Sequence, residues 1–86
     1  MFRTTVQWAT KSDLYDNEQF VSERRAFLNS LVAIEKTTGI PTINNTNFSA
    51  TIEFQDETSA QQWLDYVTSL AEKYGKTIVS KTIEAI

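Results

Sequence analysis

An α+β fold is what this sequence predicts, and three observations predict it. Two short runs, Phe2–Ala9 and Phe48–Phe54, alternate apolar and polar residues with a period of two, the mark of half-buried strands. Two longer stretches, through Phe20–Ile34 and Ala60–Tyr74, repeat apolar residues at three- and four-residue steps, the mark of amphipathic helices. The C-terminal segment KTIVSKTIEAI is rich in β-branched residues and reads as a further strand.

Each element has its own signal. In Phe2–Ala9, Phe2, Thr4, Val6 and Trp8 share one face and Arg3, Thr5 and Gln7 the other, so Phe2, Val6 and Trp8 are expected to meet the core. TKSDLYDNEQ then supplies turn and capping residues, with Asp16 three before Gln19 as an approximate capping box. The helix that follows carries Phe20, Phe27, Leu31 and Ile34, flanked by Val21, Leu28 and Val32, and is expected to run about five to six turns. Its expected stop is Gly39, with Pro41 just beyond. IPTINNTN reads as a short edge strand or an irregular connection. Phe48–Phe54 places Ala50, Ile52 and Phe54 inward and Ser49, Thr51 and Glu53 outward. Asp56, Thr58 and Ser59 are candidate N-caps for a helix whose buried stripe is Ala60, Trp63, Leu64, Val67, Leu70, Ala71 and Tyr74, closed by Gly75.

The order strand, long helix, weak strand, clear strand, helix, strand resembles the ferredoxin-like βαββαβ fold. That resemblance implies an antiparallel sheet of spatial order 4-1-3-2 with two helices on one face and a weak second strand. It covers nearly the whole chain, residues 1–86, as a single domain. Many unrelated functions share this element order, so function has to be read from the side chains it displays.

Composition narrows the choice of chemistry. At 86 residues and 41% apolar content, one core is expected, since a chain of this size buries only roughly 60–65% of its unfolded surface. The absence of Cys and His removes disulfides, thiolate chemistry and the most common metal ligand, so neither a metal nor a cofactor is expected. Net charge is −3, and Arg3, Lys11, Arg24, Arg25, Lys36, Lys73, Lys76 and Lys81 are scattered rather than massed, which disfavours nucleic acid. No apolar run approaches the roughly 18 residues of a membrane span and no export signal opens the chain. A soluble cytoplasmic protein without a membrane partner is therefore expected.

With helices on one face, the other face should carry the function. Its central strands are expected to present Arg3, Thr5 and Gln7 beside Ser49, Thr51 and Glu53, the candidate ligand-binding residues. Phe48–Phe54 running into a helix resembles the second half of an RNA-recognition motif, whose third strand reads K/R-G-F/Y-G/A-F-V-x-F/Y. Aligned on Ile52-Glu53-Phe54, the chain has Asn47 for the basic residue, Phe48 for the glycine, and Ser49 and Thr51 for the two stacking aromatics. Stacking is worth about 1–3 kcal/mol per base, so RNA binding is disfavoured.

The last strand has apolar residues on both faces: Thr77, Val79, Lys81, Ile83 and Ala85 against Ile78, Ser80, Thr82, Glu84 and Ile86. Either the alternation is broken by a bulge between Ile78 and Val79 or by a frayed end, or the open face is also covered. The second alternative resembles the dimeric α/β-barrel branch of ferredoxin-like proteins and implies a homodimer, with Val79, Lys81 and Ile83 as candidate interface residues. Two functions follow. One is a non-enzymatic homodimeric module that binds a protein partner or a small apolar ligand, with no catalytic residue. The other is a cofactor-independent monooxygenase or isomerase of the dimeric α/β-barrel type. Catalytic side chains are sparse here, which favours the first.

Overall fold

The structure, a computed structural model, describes residues 1–15 and 17–86. Strand β1 (Phe2–Trp8) pairs antiparallel with β3 (Ser49–Phe54) on one side and β4 (Ile78–Ala85) on the other, and β2 (Thr42–Asn44) pairs antiparallel with the far side of β3. Counted from the β2 edge the order is β2-β3-β1-β4, so counted from the β4 edge it runs 4-1-3-2. The architecture is α+β, consistent with a ferredoxin-like sandwich.

Two helices were expected and, among the described residues, three are present: α1 (Lys11–Tyr15), α2 (Glu18–Ala33) and α3 (Glu57–Tyr74). The extra one, α1, is fixed by a reciprocal cap. The Thr10 hydroxyl accepts from the Asp13 amide at 3.2 Å, and the Asp13 carboxylate accepts from the Thr10 amide at 3.1 Å. It delivers Leu14, fully buried, into the core. The capping box expected at Asp16 lies outside the described residues; α2 is capped instead by Asn17, whose side chain accepts from the amides of Gln19 and Phe20 at 2.9 and 3.2 Å.

Helix α2 also ends earlier than expected, at Ala33 rather than near Gly39. The Lys36 amide donates to Leu31 O at 2.9 Å and the Glu35 amide to Val32 O at 3.0 Å, while Glu35 takes φ +60. This is a Schellman stop in which glutamate occupies the left-handed position that usually holds glycine. Gly39 is instead needed downstream: at φ +71, a Cβ there would stand 2.6 Å from Val32 Cγ2. The chain then bridges Thr37 to Phe54 and forms the three-residue edge strand β2. Helix α3 starts at its Asp56 cap and ends in the expected place, with Gly75 left-handed and the Lys76 amide donating to Ala71 O at 2.8 Å.

One core joins the helix layer to the inward sheet face: Val6, Trp8, Leu14, Phe20, Leu28, Leu31, Ile52, Phe54 and the α3 stripe Ala60, Trp63, Leu64, Val67, Leu70 and Ala71. Trp8 meets Phe20 edge-on with centroids 5.5 Å apart, and Phe27 stacks on Tyr66 at 4.1 Å. Thr4 is fully buried, its hydroxyl donating to Ile52 O at 3.1 Å. Ile34, expected on the buried stripe, is 60% exposed because α2 stops before it.

Strand β4 carries a bulge. Gln7 faces Ser80 and Trp8 faces Ile78, which leaves Val79 without a partner on β1. Ile78 and Ile83 consequently both pack against the core. The bulge accounts for the two-faced apolar pattern of this strand.

Candidate functional site

The register of the sheet sets the open face into rows. Thr42 faces Thr51, Thr51 faces Thr5, and Thr5 faces Thr82, a file of threonines across all four strands. Beside it runs Asn44, Ser49, Gln7 and Ser80. A third row places Arg3 between Glu53 and Glu84. β-Branched threonine suits a pleated surface, and cross-strand Thr pairs bond through their hydroxyls. Thr5 and Thr51 do so at 3.3 Å.

Arg3 Nη2 lies 3.2 Å from Glu53 Oε1 and Nη1 lies 3.4 Å from Glu84 Oε1. The hydrogen bond to Glu53, with the bond and charge of Glu84 behind it, raises the Arg3 pKa further above its already high value. One guanidinium between two carboxylates leaves the row with one net negative charge. Ser80 Oγ donates to Gln7 Oε1 at 3.4 Å.

The expected ligand-binding residues thus fall on one face but not at one point. Arg3, Thr51 and Glu53 line an open recess of about 450 Å³ together with Thr38, Ile40 and Thr42. Thr5 and Gln7 stand on the same face outside its lining, and Ser49 is buried, its hydroxyl donating to Asn47 Oδ1 at 2.7 Å. Thr38 and Ile40 come from the connection before β2, where periodicity gave no signal. Ile40, 75% exposed, is an apolar rim on an otherwise polar floor.

The three candidate interface residues are divided. Lys81 and Ile83 face the helix layer: Ile83 packs on the core and the Lys81 ammonium donates to the Thr68 hydroxyl on α3. Val79 is exposed at the bulge. None of the three continues the Thr or Arg–Glu rows.

A second polar cluster joins the helices. The Glu23 carboxylate accepts from the Tyr74 hydroxyl and from Lys73 Nζ at 2.9 Å, and the Tyr66 hydroxyl donates to Glu23 O at 3.0 Å. The Tyr74 hydrogen bond and then Lys73 hold Glu23 below the usual carboxylate range, while the Glu23 partner raises both Tyr74 and Lys73. Each proton donor is held by the groups that clamp α2 to α3. Sequence periodicity did not reveal it, because Glu23 lies off the apolar stripe.

The apolar void between α2 and the sheet, lined by Val6, Trp8, Leu28, Ile43, Ile52 and Trp63 among others, is about 20 Å³. Among the described residues, no group of three or more Asp, Glu, His or Cys is placed to hold a metal ion, and no helix is long and apolar enough to cross a membrane.

No protein-family profile matches the chain, and no curated protein matches it. The face itself therefore carries the functional reading: a sheet surface on a two-layer α+β scaffold that is polar and, among the described residues, free of aromatics.

Proposed function

We propose that this chain is a non-enzymatic interaction module whose open sheet face docks a second copy of itself, face to face, in the manner of the dimeric α/β-barrel proteins. The observation that carries this is the makeup of the face. Hydroxyls and amides both donate and accept hydrogen bonds, so the Thr42-Thr51-Thr5-Thr82 row, with Asn44, Gln7 and Ser80 beside it, is complementary to its own copy. Surfaces of one charge sign lack that property. Arg3, already bridging Glu53 and Glu84, can exchange one of these for the partner's carboxylate without leaving a charge unpaired.

Size argues for a weak dimer. Four strands about 4.8 Å apart and seven residues rising about 3.3 Å each give a face of roughly 400 Å² in projection. Stable interfaces bury about 800 Å² on each partner. The apolar void of about 20 Å³ is far below the roughly 300 Å³ of a small-molecule site, and the larger recess of about 450 Å³ beside Arg3 and Glu53 is open and mainly polar rather than enclosed and apolar, which supports the non-enzymatic reading over the monooxygenase or isomerase alternative. The lack of outward aromatics supports a protein partner over RNA.

A dilution series followed by amide NMR tests the reading. Shifts of Arg3, Thr5, Gln7, Thr51 and Thr82 are expected to move with concentration while those of Gln61 and Asp65, on the outer surface of α3, stay fixed. Movement confined to the helix layer, or no movement at all, rules the face out as the docking surface.

A further inference from the structure

Strand β4 is the long edge of the sheet, eight residues paired on one side only, with β1. The Ile86 amide donates to Met1 O at 3.0 Å, and bonded pairs alternate along an antiparallel ladder. Arg3–Glu84, Thr5–Thr82 and Gln7–Ser80 are therefore the bonded pairs within the sheet. The backbone groups of Lys81, Ile83 and Ala85 point away from it, a row of donors and acceptors that a further strand could complete.

A second copy fits that row. Antiparallel self-pairing about a two-fold must set inward residues opposite inward residues. Centred on Thr82, it matches Lys81 with the partner's Ile83 and prolongs the threonine file into the next sheet. Centred on Ile83, it matches Ile83 with itself and Lys81 with the partner's Ala85. Both registers place the Lys81 stem and charge opposite an apolar residue, in the layer where its ammonium already reaches the Thr68 hydroxyl. Completing the edge would bring a second helix layer alongside and take that charge out of water, which is unfavourable without a carboxylate partner. At the other end the unpartnered Val79 bends the strand out of register. Inward-pointing charge and a bulge are two devices that keep sheet edges from adding strands.

We infer that the β4 edge is a latent self-association surface, held shut by Lys81 and the Val79 bulge. Its partner is a second copy, added edge to edge, and the inference stands independently of the face-to-face reading.

The test compares wild type with Lys81→Val, and with Lys81→Thr as a milder variant, by sedimentation velocity at a concentration where wild type is monomeric. Both variants are expected to about double in mass or form larger edge-linked species, and a deletion of Val79 combined with Lys81→Thr is expected to strengthen the effect. Hydrogen exchange supplies the site: the Lys81, Ile83 and Ala85 amides are expected to exchange fast in wild type, and the amides at 81, 83 and 85 to become protected in the associating variants. Two results overturn the inference. One is slow exchange of those three amides in wild type, which means the edge is already occupied. The other is an unchanged mass for the folded variants, including the deletion.

Discussion

Asp56 shows how one side chain serves two elements. Its carboxylate accepts from the Ser59 amide at 2.7 Å to cap α3 and pairs with Lys36 Nζ at 2.9 Å beyond the end of α2. The Ser59 backbone bond, with Lys36 behind it, lowers its pKa from 3.8 to about 2. A folded-state pKa below the unfolded one contributes stability that is complete above about pH 5 and is lost as pH falls toward 2. Asp56→Asn keeps the capping oxygen but not the charge. Its melting temperature is expected to start below wild type at pH 6 and to fall less between pH 5 and 2, as read by circular dichroism; parallel curves would remove the charge from the account. Glu35, left-handed at φ +60, gives the opposite kind of prediction. A non-glycine residue there is strained by about 1–2 kcal/mol, partly offset by the greater chain entropy of glycine. Glu35→Gly is therefore expected to stabilise by about 0.5–1 kcal/mol in urea denaturation. Gly39→Ala, facing the 2.6 Å approach to Val32 Cγ2, is expected to destabilise.

At the scale of elements, helix α3 was fully legible. Its stripe of Ala60, Trp63, Leu64, Val67, Leu70 and Ala71 is buried as the spacing requires, with Tyr74 partly so. Trp63 is 3% exposed, and Trp63→Ala is expected to cost about 3–5 kcal/mol. For a chain this size, with a stability of about 4–13 kcal/mol, that is a large fraction, and the urea midpoint measures it. Elements that end or bend by backbone geometry were less legible. The stop of α2 depends on Glu35 adopting a conformation that sequence rules reserve for glycine, so the helix seemed to continue to Gly39. α1 is too short to show periodicity, yet its Thr10–Asp13 cap seats Leu14 in the core. In β4 a bulge and a covered face produce the same one-dimensional pattern, and the bulge shows only in the pairing of Trp8 with Ile78.

For the molecule as a whole, the strand order came only from the resemblance in element order, whereas the division into a core face and an open face followed from alternation, because burial on one side forces period two. The membership of the open face was legible for the same reason: Arg3, Thr5, Gln7, Thr51 and Glu53 stand on it as the pattern requires. Its rows were not, since register depends on which residues face each other across strands. The recess was missed on one wall because Thr38 and Ile40 belong to an aperiodic connection. What the face does rests on the claim that it docks its own copy. Sedimentation equilibrium of wild type beside Thr51→Lys, which puts a charge in the middle of the threonine file, tests that claim most directly. Wild type is expected to pass from monomer to dimer with a Kd on the order of 10 μM to 1 mM, and Thr51→Lys to remain monomeric over the same range. A wild type that stays monomeric to about 1 mM, or a dimer that Thr51→Lys leaves intact, would contradict it.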